Sequence, residues 1–328
     1  MSSGSGRIVV AGEALVDLVI SPDGSVEAAL GGAPFNTARA CGRLGADAAY
    51  VGALSDDRFG RALRARLVAD GVDVTGVTEV ELPTTLAAAE VDDRGAATYR
   101  FYLDGTSAPA LGRVPPLGDD VAVAYTGGLA LVLEPMADAV AAMVAALARR
   151  RADIRPLVVV DVNARPQVIV DRARYLDRLR SVIASADIVK ASDEDLDVIA
   201  PGASTPDAAR ALLDRGPSAV LVTAGTREVV ILHRPSVPDG TSSPGEVTEV
   251  RVPVEPVEVV DTIGAGDAFG GGVCAWWTLT GRTRADLADV GLVERAVRAG
   301  VAVAGVTCTR RGADPPHPAD LPTPLTRF

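Results

Sequence analysis

The feature that most constrains the fold is the regular alternation of short apolar runs with stretches of helical periodicity. The apolar runs predict strands at Arg7–Ala11, Ala48–Gly52, Val121–Tyr125, Leu157–Asp161, Ile188–Lys190, Ala219–Thr223 and Val229–Leu232. Helices are predicted between them, notably at Met136–Arg151 and Pro206–Leu213. Strands that are apolar along their whole length and alternate with helices are typical of a parallel sheet covered on both faces. The sequence therefore predicts an α/β fold with a mostly parallel central sheet.

Two regions depart from this alternation and predict a flap that stands off the main sheet. The strands Thr84–Val91 and Ala97–Leu103 flank Asp92–Gly95, which is a hairpin signal. The strand Ala14–Ile20 carries Asp17 inside an otherwise apolar run. Because a carboxylate in such a run needs solvent, a partner or a ligand, Asp17 either lies on an exposed face or binds hydroxyl groups beneath the flap.

Composition and charge limit which partners the chain can bind and indicate its cellular compartment. The formal charge of −11 argues against a nucleic-acid or anionic-membrane surface, since both require clustered Lys and Arg. No apolar run reaches the about 18 residues of a membrane span. The N-terminus lacks a signal-peptide core, and the three cysteines show no CxxC spacing. We therefore expect a cytoplasmic protein, whose acid–base chemistry falls to Asp and Glu because it has only two histidines.

The strongest functional signal is a predicted strand, glycine turn and helix late in the chain. The β-branched run Val257–Val260 predicts a strand that ends at Asp261. The next residues include Gly264, Ala265 and Gly266, whose small size lets a ligand approach the backbone closely. A helix that begins at such a turn aims free N–H groups at an anion, most often phosphate.

The residue that follows this turn, Asp267, is unexpected at an anion site because a carboxylate repels phosphate. The turn is not a P-loop, since the chain contains no Gly-Lys pair, and Phe269 stands where a dinucleotide fingerprint requires glycine. Asp267 either caps the helix or acts on a neighbouring hydroxyl group. The residues alone leave both interpretations open.

Other polar residues are expected near this turn. A second glycine turn, Gly31-Gly32, precedes a helix that contains Asn36, which either caps that helix or offers a donor and an acceptor to a sugar. In open α/β sheets, ligands bind beyond the carboxyl ends of the strands. The polar residues and turn glycine predicted at those ends are Asp161, Asn163, Lys190, Asp193, Glu194, Thr223, Gly225, Asp261 and Asp267.

The two glycine turns, Gly31–Asn36 and Asp261–Asp267, carry a resemblance to a known family. On these motifs the chain resembles the ribokinase-like carbohydrate kinases, the PfkB family, along essentially its whole length. The resemblance implies a ribokinase-like three-layer fold, with residues 1–328 as a single domain and lid strands within about 12–36 and 84–105. It also implies phosphoryl transfer from ATP, with Mg²⁺, to a hydroxyl group of a small sugar.

The resemblance assigns expected roles to individual positions. Asp267 matches the catalytic base, and the anion hole is matched by Gly264, Ala265 and Gly266. The expected substrate contacts are Asp17, Gly32, Asn36, Asn163 and Arg165, and the expected nucleotide contacts are Lys190, Thr223 and Gly225. Asp193 or Glu194 would organise Mg²⁺ through water, and Asp261 with backbone near Ile263 matches the place where many members hold K⁺.

Within the family, the segments Gly12–Asp17 and Asp161–Arg165 look most like fructokinases, so fructose or a related ketohexose is the expected substrate. Kinases of 2-keto-3-deoxygluconate, ribose or a nucleoside are alternatives, and a sugar-binding regulator without catalysis is another. Asp17 disfavours an acidic sugar because like charges repel, and the aromatic content of 4% argues against a pocket that stacks on a base. Arg165 either reads a carboxylate or phosphate of the substrate or holds a surface loop.

Two positions depart from the family pattern. Leu103 stands where fructokinase-like and ketodeoxygluconate-kinase-like members often carry a basic residue, and Glu228 stands where glycine is usual.

Many relatives dimerise through the flap. The apolar flap residues Leu86, Ala88 and Val91 are compatible with a homodimer, or with a flap that closes only on its own site.

Overall fold

The structure, a computed structural model, describes residues 6–92, 97–235 and 245–328. In chain order the strands are β1 (Arg7–Ala11), β2 (Leu15–Ile20), β3 (Val26–Gly31), β4 (Ala48–Val51), β5 (Ala53–Ser55), β6 (Val72–Asp73), β7 (Thr78–Val80), β8 (Leu86–Val91), β9 (Ala97–Tyr102), β10 (Val121–Gly127), β11 (Leu157–Asp161), β12 (Ile188–Ser192), β13 (Ala219–Thr223), β14 (Glu228–His233) and β15 (Thr248–Pro253). The α-helices are α1 (Ala33–Arg43), α2 (Arg58–Ala69), α3 (Met136–Ala148), α4 (Arg172–Ile183), α5 (Asp193–Ile199), α6 (Thr205–Leu213), α7 (Ala265–Leu279) and α8 (Val290–Cys308).

The central sheet has nine strands in the order β15-β14-β13-β12-β11-β10-β1-β4-β6. All neighbours from β13 to β6 pair in parallel, whereas β14 pairs antiparallel with both β13 and β15. The prediction of an α/β fold with a mostly parallel sheet is confirmed. Because parallel strands all end at one edge, this arrangement brings the residues that follow β11, β12 and β13 to the same side of the molecule.

Two apolar clusters cover the two faces of this sheet. Alternate residues of β1 belong to different clusters, with Ile8 in one and Val9 in the other. The first cluster includes Phe35 of α1 and Trp276 of α7, and the second includes Tyr175 of α4. Helices therefore pack on both faces, and the result is the three-layer fold that the sequence predicts.

The lid is a separate sheet of four strands in the order β3-β2-β8-β9. β2 and β8 pair in parallel, and the outer pairs are antiparallel. The turn of the β8–β9 hairpin, residues 93–96, lies outside the described residues, and the assignment of this sheet as a lid stays a prediction. Leu15 and Ala87 of the lid form a small apolar cluster with Leu129 and Val168 of the main body. One face of the lid is therefore directed towards the carboxyl end of the central sheet.

The predicted strand at Val257–Val260 is wrong. These residues form no regular strand, and Val260 is 61% exposed. The amides of Val260 and Asp261 donate instead to the carbonyl of Cys308, at 2.8 and 3.2 Å. Proline lacks the N–H group that a strand ladder needs, and Pro256 lies directly before this segment. The glycine turn therefore follows an irregular segment, after the edge strand β15, which the sequence did not predict.

Two further expectations concern membrane spans and domain organisation. No helix in the described ranges is long and apolar enough to cross a membrane. The single domain over residues 1–328 stays a prediction.

Candidate active site

Asp267 lies in the first turn of α7 and is only 9% exposed. Gly264 precedes the helix with φ of 75°, in the left-handed region, and makes no side-chain cap. A Cβ atom at Gly264 would lie 2.5 Å from the Cβ of Ala313. The first N–H groups of a helix have no partner inside it. The Ala265 amide donates to the carbonyl of Thr262 at 3.2 Å, so among the described residues of this turn the amides of Gly264 and Gly266 remain available to an anion. Gly266 of the same turn is exposed.

The Asp267 carboxylate pairs with a residue from the other predicted glycine turn. Its Oδ2 accepts a hydrogen bond from Nδ2 of Asn36 at 2.9 Å, so the carboxylate is engaged with a second segment of the site. Asn36 is buried in α1, and its Oδ1 has no hydrogen-bond partner among the described residues. Gly32 directly precedes α1 and has φ of 108°. The pair therefore presents an unused acceptor beside a carboxylate.

A buried ion pair lies behind this turn, at the ends of β11 and β12. Nζ of Lys190 donates to Oδ2 of Asp161 at 2.7 Å, and the hydroxyl of Tyr125 donates to the same oxygen at 2.9 Å. A Cβ on Gly266 would lie 3.3 Å from the Lys190 Nζ. Burial lowers the pKa of Lys190, but the charge and hydrogen bond of Asp161 together with the charges of Asp195 and Asp267 outweigh it, and the pKa is raised. Lys190 therefore stays charged next to the start of α7.

The surroundings of Asp267 raise its pKa to about 6. Burial is the main cause, and the nearby Asp161 charge adds to it, whereas the Asn36 hydrogen bond and the positive charges of Lys190 and Arg165 act in the opposite direction. A base works best when its pKa lies near the operating pH. Asp267 is thus mostly ionised at neutral pH and is still a useful proton acceptor.

Asp17 lies on the lid and is connected electrostatically to this centre. It is half-buried, and burial raises its pKa to about 6, against the effect of the Arg165 charge. The same Arg165 charge acts on Asp267, so the guanidinium lies within electrostatic reach of both carboxylates. Among the described residues Arg165 makes one hydrogen bond, to the carbonyl of Ala164, and no ion pair. It is therefore free to contact a ligand.

Asn163 lies with Arg165 in the loop that follows β11 and has an unusual backbone conformation. Its φ is 36°, in the left-handed region. A Cβ placed on Gly128 would lie 3.5 Å from Nδ2 of Asn163. The amide of Ala164 donates to Oδ1 of Asp195 at 2.7 Å, which fixes the connection to the start of α5.

The expected nucleotide and metal positions lie at the same sheet edge but are more exposed. Thr223 ends β13, and Gly225 has φ of 59° in the turn that leads to β14. Glu228, the departure in this loop, belongs to β14 and pairs with Arg251 at 2.5 Å. Asp193 pairs with Arg227, and Glu194 is exposed at the start of α5.

The Asp261 carboxylate closes a loop. Its Oδ1 accepts the amide of Ile263 at 3.0 Å, and its Oδ2 accepts the amide of Gly312 at 2.8 Å. This joins the segment before α7 to the segment after α8. Within the described ranges, no group of three or more His, Cys, Asp or Glu side chains is placed to hold a metal ion.

One buried residue of the site was not predicted from the sequence. Glu13 is 2% exposed and accepts hydrogen bonds from the amides of Ala33 and Ala130. Burial raises its pKa to about 8, and the Asp267 charge contributes. The sequence signal for it is an acid between two apolar runs, Arg7–Ala11 and Ala14–Ile20.

Comparisons with known proteins agree with this geometry. A family model described as pfkB family carbohydrate kinase matches residues 5–320. A fructokinase of Rhizobium leguminosarum bv. trifolii is 34% identical over 275 residues, covering 82% of this chain and 78% of the relative. The crystal structure of a fructokinase with bound ATP from Xylella fastidiosa aligns with a TM-score of 0.81 at 26% identity, covering 94% of each chain. An aminoimidazole riboside kinase from Salmonella enterica, complexed with aminoimidazole riboside and an ATP analog, aligns with a TM-score of 0.74 at 26% identity, covering 94% of this chain and 95% of that one.

The matches to a carbohydrate kinase family and to fructokinases indicate that this protein is a phosphotransferase. The family match extends over nearly the whole chain. The chain belongs to the pfkB family of carbohydrate kinases. The predicted family and enzyme class are therefore confirmed.

Proposed function

We propose that the protein transfers the γ-phosphate of ATP to a hydroxyl group of fructose or a related ketohexose, with Asp267 as the base. The observation that carries the proposal is the position of Asp267, which lies beside the free N–H groups of its helix and is hydrogen-bonded to Asn36. The fructokinase names of the relatives support the choice of sugar.

The proposed reaction uses these groups in distinct roles. Asp267 takes the proton of the acceptor hydroxyl, the hydroxyl oxygen forms a bond to the γ-phosphorus, and the bond to the ADP oxygen breaks. The N–H groups of Gly264 and Gly266, joined by that of Ala265 when it leaves the Thr262 carbonyl, stabilise the charge on the transferred phosphoryl group. Lys190 forms an ion pair with Asp161, and the ammonium end of this pair lies next to Gly266 behind the turn.

The sugar is proposed to lie between the lid and α1. Asp17 and the unused Oδ1 of Asn36 would accept hydrogen bonds from its hydroxyl groups, and Asn163 and Arg165 would donate to its oxygens. Gly32 is proposed to contact the sugar through its backbone; a Cβ there would lie 2.7 Å from the carbonyl oxygen of Glu13, so the turn packs directly against the segment between β1 and β2.

Thr223 and Gly225 are the proposed nucleotide contacts, and the ions would lie beside the phosphates. Mg²⁺ prefers oxygen ligands and keeps several waters. Asp193 is held by Arg227, whereas the exposed Glu194 makes no ion pair in the described part of the chain, so we favour Glu194 for a magnesium-bound water. When bound, Mg²⁺ neutralises phosphate charge.

A potassium ion is proposed at Asp261. Each of its carboxylate oxygens accepts one amide and keeps lone pairs for an ion. Backbone carbonyl groups near Ile263 would complete the site, since carbonyl oxygens are the ligands of K⁺ in proteins.

A second candidate substrate is a riboside with a planar base. On the lid, Tyr99 and Phe101 are stacked with ring centroids 6.4 Å apart. Phe101 pairs with Ala87, which pairs with Asp17, so the ring and the carboxylate share one face of the lid. The relative that binds aminoimidazole riboside supports this candidate. An acidic sugar fits less well, because Leu103 packs in the apolar lid cluster where a basic residue would be needed.

A homodimer through the lid also remains a proposal. Ala88 is 1% exposed and is already buried within the chain, and nothing is described of the Val91 side chain. Leu86 pairs with the exposed Tyr102, so this pair is the surface we propose for the contact. Light scattering that gives a monomer at micromolar concentration would refute it.

The test of the proposed function is a coupled ADP-release screen over ketohexoses, aldoses, ribosides and keto-acid sugars, with and without K⁺. We expect ketohexoses to give the highest kcat/KM. Removing a general base costs about 10²–10⁴-fold, so Asp267→Asn should lose at least that much activity. Asp289→Asn, which alters the cap of α8 at the end opposite Cys308, the residue that binds the amides of Val260 and Asp261, is the control and should keep its activity. Full activity of Asp267→Asn would rule out the mechanism.

A further inference from the structure

Glu13 lies at the bend between β1 of the central sheet and β2 of the lid. Its carboxyl group is 2% exposed and bonds to backbone in two other segments. Oε1 accepts the amide of Ala33 at 3.3 Å, and Oε2 accepts the amide of Ala130 at 3.1 Å. One side chain therefore joins the root of the lid, the start of α1 and the 3-10 helix Gly128–Leu131.

The first of these bonds replaces a missing helix cap. Gly32 is the residue before α1, and no side chain caps the helix from that position. Glu13 satisfies an amide of the first turn from outside the helix, which is the usual task of a cap. Asn36, which bonds to Asp267, belongs to the same first turn. The position of Glu13 therefore bears on the geometry of the Asn36–Asp267 pair.

The second bond reaches the wall beneath the lid. Gly128 has φ of 63°, and a Cβ on it would lie 3.0 Å from Oε1 of Glu13. Leu129 of the same turn packs in the lid cluster with Leu15. The Gly128 position also faces Asn163. The carboxyl group thus fits a space bordered by two segments that carry proposed substrate contacts.

The charge of Glu13 suits this position. No Lys or Arg pairs with it in the part of the chain that the structure describes, and the titratable groups that face it are Asp267 from α7 and Tyr50 from β4. α1 and the 3-10 helix present backbone amides to it. Burial raises the pKa of Glu13 to about 8, so it is mostly neutral where Asp267 is mostly ionised. A second negative charge beside the base is thereby avoided.

We propose that Glu13 is a positioning residue, which caps α1 from the lid root and holds Asn36 against Asp267. This inference rests on the proposed function of Asp267. Glu13 touches neither substrate in this role. Its effect on the reaction passes through the Asn36 hydrogen bond, which lowers the pKa of Asp267.

The experiment is a double-mutant cycle with Glu13→Ala and Asn36→Ala. We expect Glu13→Ala to lower kcat by about tenfold to a hundredfold, as small misplacements do, and the double variant to be no slower than the slower single variant. The carboxyl carbon of Asp267, followed by ¹³C NMR, should titrate at a higher pH in Glu13→Ala than in the wild type, because the Asn36 bond is weakened. If Glu13→Ala does not fold, Glu13→Gln, which keeps one acceptor, takes its place in the cycle.

The control is Asp187→Asn. Asp187 is also a buried carboxylate that accepts a backbone amide, from Val158 at 2.9 Å, but it precedes β12 at the opposite end of the sheet and, unlike Glu13, pairs with Arg155 and Arg284. Its effect on kcat should multiply independently with that of Asn36→Ala. Independent multiplication for Glu13 and Asn36, or an unchanged Asp267 titration, would overturn the inference. Activity of Asp267→Asn would instead refute the proposed function, while the NMR titration would still report on Glu13.

Discussion

The buried carboxylate of Asp267 should cost the protein stability, and the size of that cost follows from its pKa. The pKa is about 6 in the folded protein against an ordinary value of 3.8. A shift of one unit corresponds to about 1.4 kcal/mol, so the folded state is destabilised by about 3 kcal/mol where Asp267 is ionised. Replacing it with the isosteric Asn removes the charge and keeps an acceptor for Asn36. We therefore expect Asp267→Asn to be about 3 kcal/mol more stable near neutral pH, although it is inactive.

The pH dependence has a definite sign. Between pH 3.8 and about 6 the folded protein holds a proton on Asp267 that the unfolded chain has released. Stability from this group therefore falls as the pH rises through that window and stays low above it. The advantage of Asp267→Asn should be small near pH 4 and complete near about pH 7.

Urea unfolding followed by tryptophan fluorescence measures this difference, since Trp276 and Trp277 are fully buried. Asp57→Asn is a control of opposite sign. Burial alone would raise the pKa of Asp57, but hydrogen bonds from Thr84 and Gly60 hold it at about 2. Its stabilisation is present above 3.8 and is lost as the pH falls through about 2, so Asp57→Asn should be less stable at neutral pH. An Asp267→Asn variant whose advantage does not grow with pH would refute the electrostatic account of the site.

Two further predictions concern the residues around Asp267. Lys190→Met leaves the Asp161 carboxylate buried without its cation, so it should lower the free energy of unfolding by about 3–5 kcal/mol in urea; an unchanged midpoint would contradict the buried ion pair. Gly264→Ala combines left-handed strain with a clash at Ala313 and should lower kcat by about a hundredfold, because it displaces the start of α7. Gly281, which has φ of 68° but no atom within 4 Å of an added Cβ, provides the control: Gly281→Ala should lower the melting temperature and leave kcat intact. Equal loss of kcat in both variants would contradict the role of the turn.

Much of the fold could be predicted from the sequence because a short apolar run by itself indicates that a strand is buried. A strand such as Leu157–Asp161 is buried on both faces, and its apolar run shows this without any knowledge of its neighbours. The strand predicted at Val257–Val260 is wrong for the same reason. β-branched residues are typical of a strand, but the amide of Val260 instead donates to the Cys308 carbonyl, which is far away in sequence. Local pattern cannot weigh such a contact.

The site was predictable as a set of residues but not as a geometry. The order of strands implies that residues after β11 and β12 meet, yet the 2.7 Å contact of Lys190 with Asp161 required the fold. Asn36 and Asp267 lie 231 positions apart, and only the resemblance linked them. Glu13 was missed because an acid between strands reads as a solvent-facing break, and its two backbone partners come from segments that no short motif contains.

The charges of the assembled site argue for a neutral substrate. Asp17 and Asp267 both have their pKa raised to about 6 by burial. Lys190 is paired with Asp161, so in the described part of the chain Arg165 is the cation that acts on both carboxylates and makes no ion pair of its own. A sugar acid would bring a further negative charge into this space, whereas the hydroxyl groups of a polyol can donate to both carboxylates. A neutral ligand also preserves the ionised form of Asp267 that the proposed proton transfer requires, since an added anion would raise its pKa further. Electrostatics and catalysis therefore select the same class of substrate.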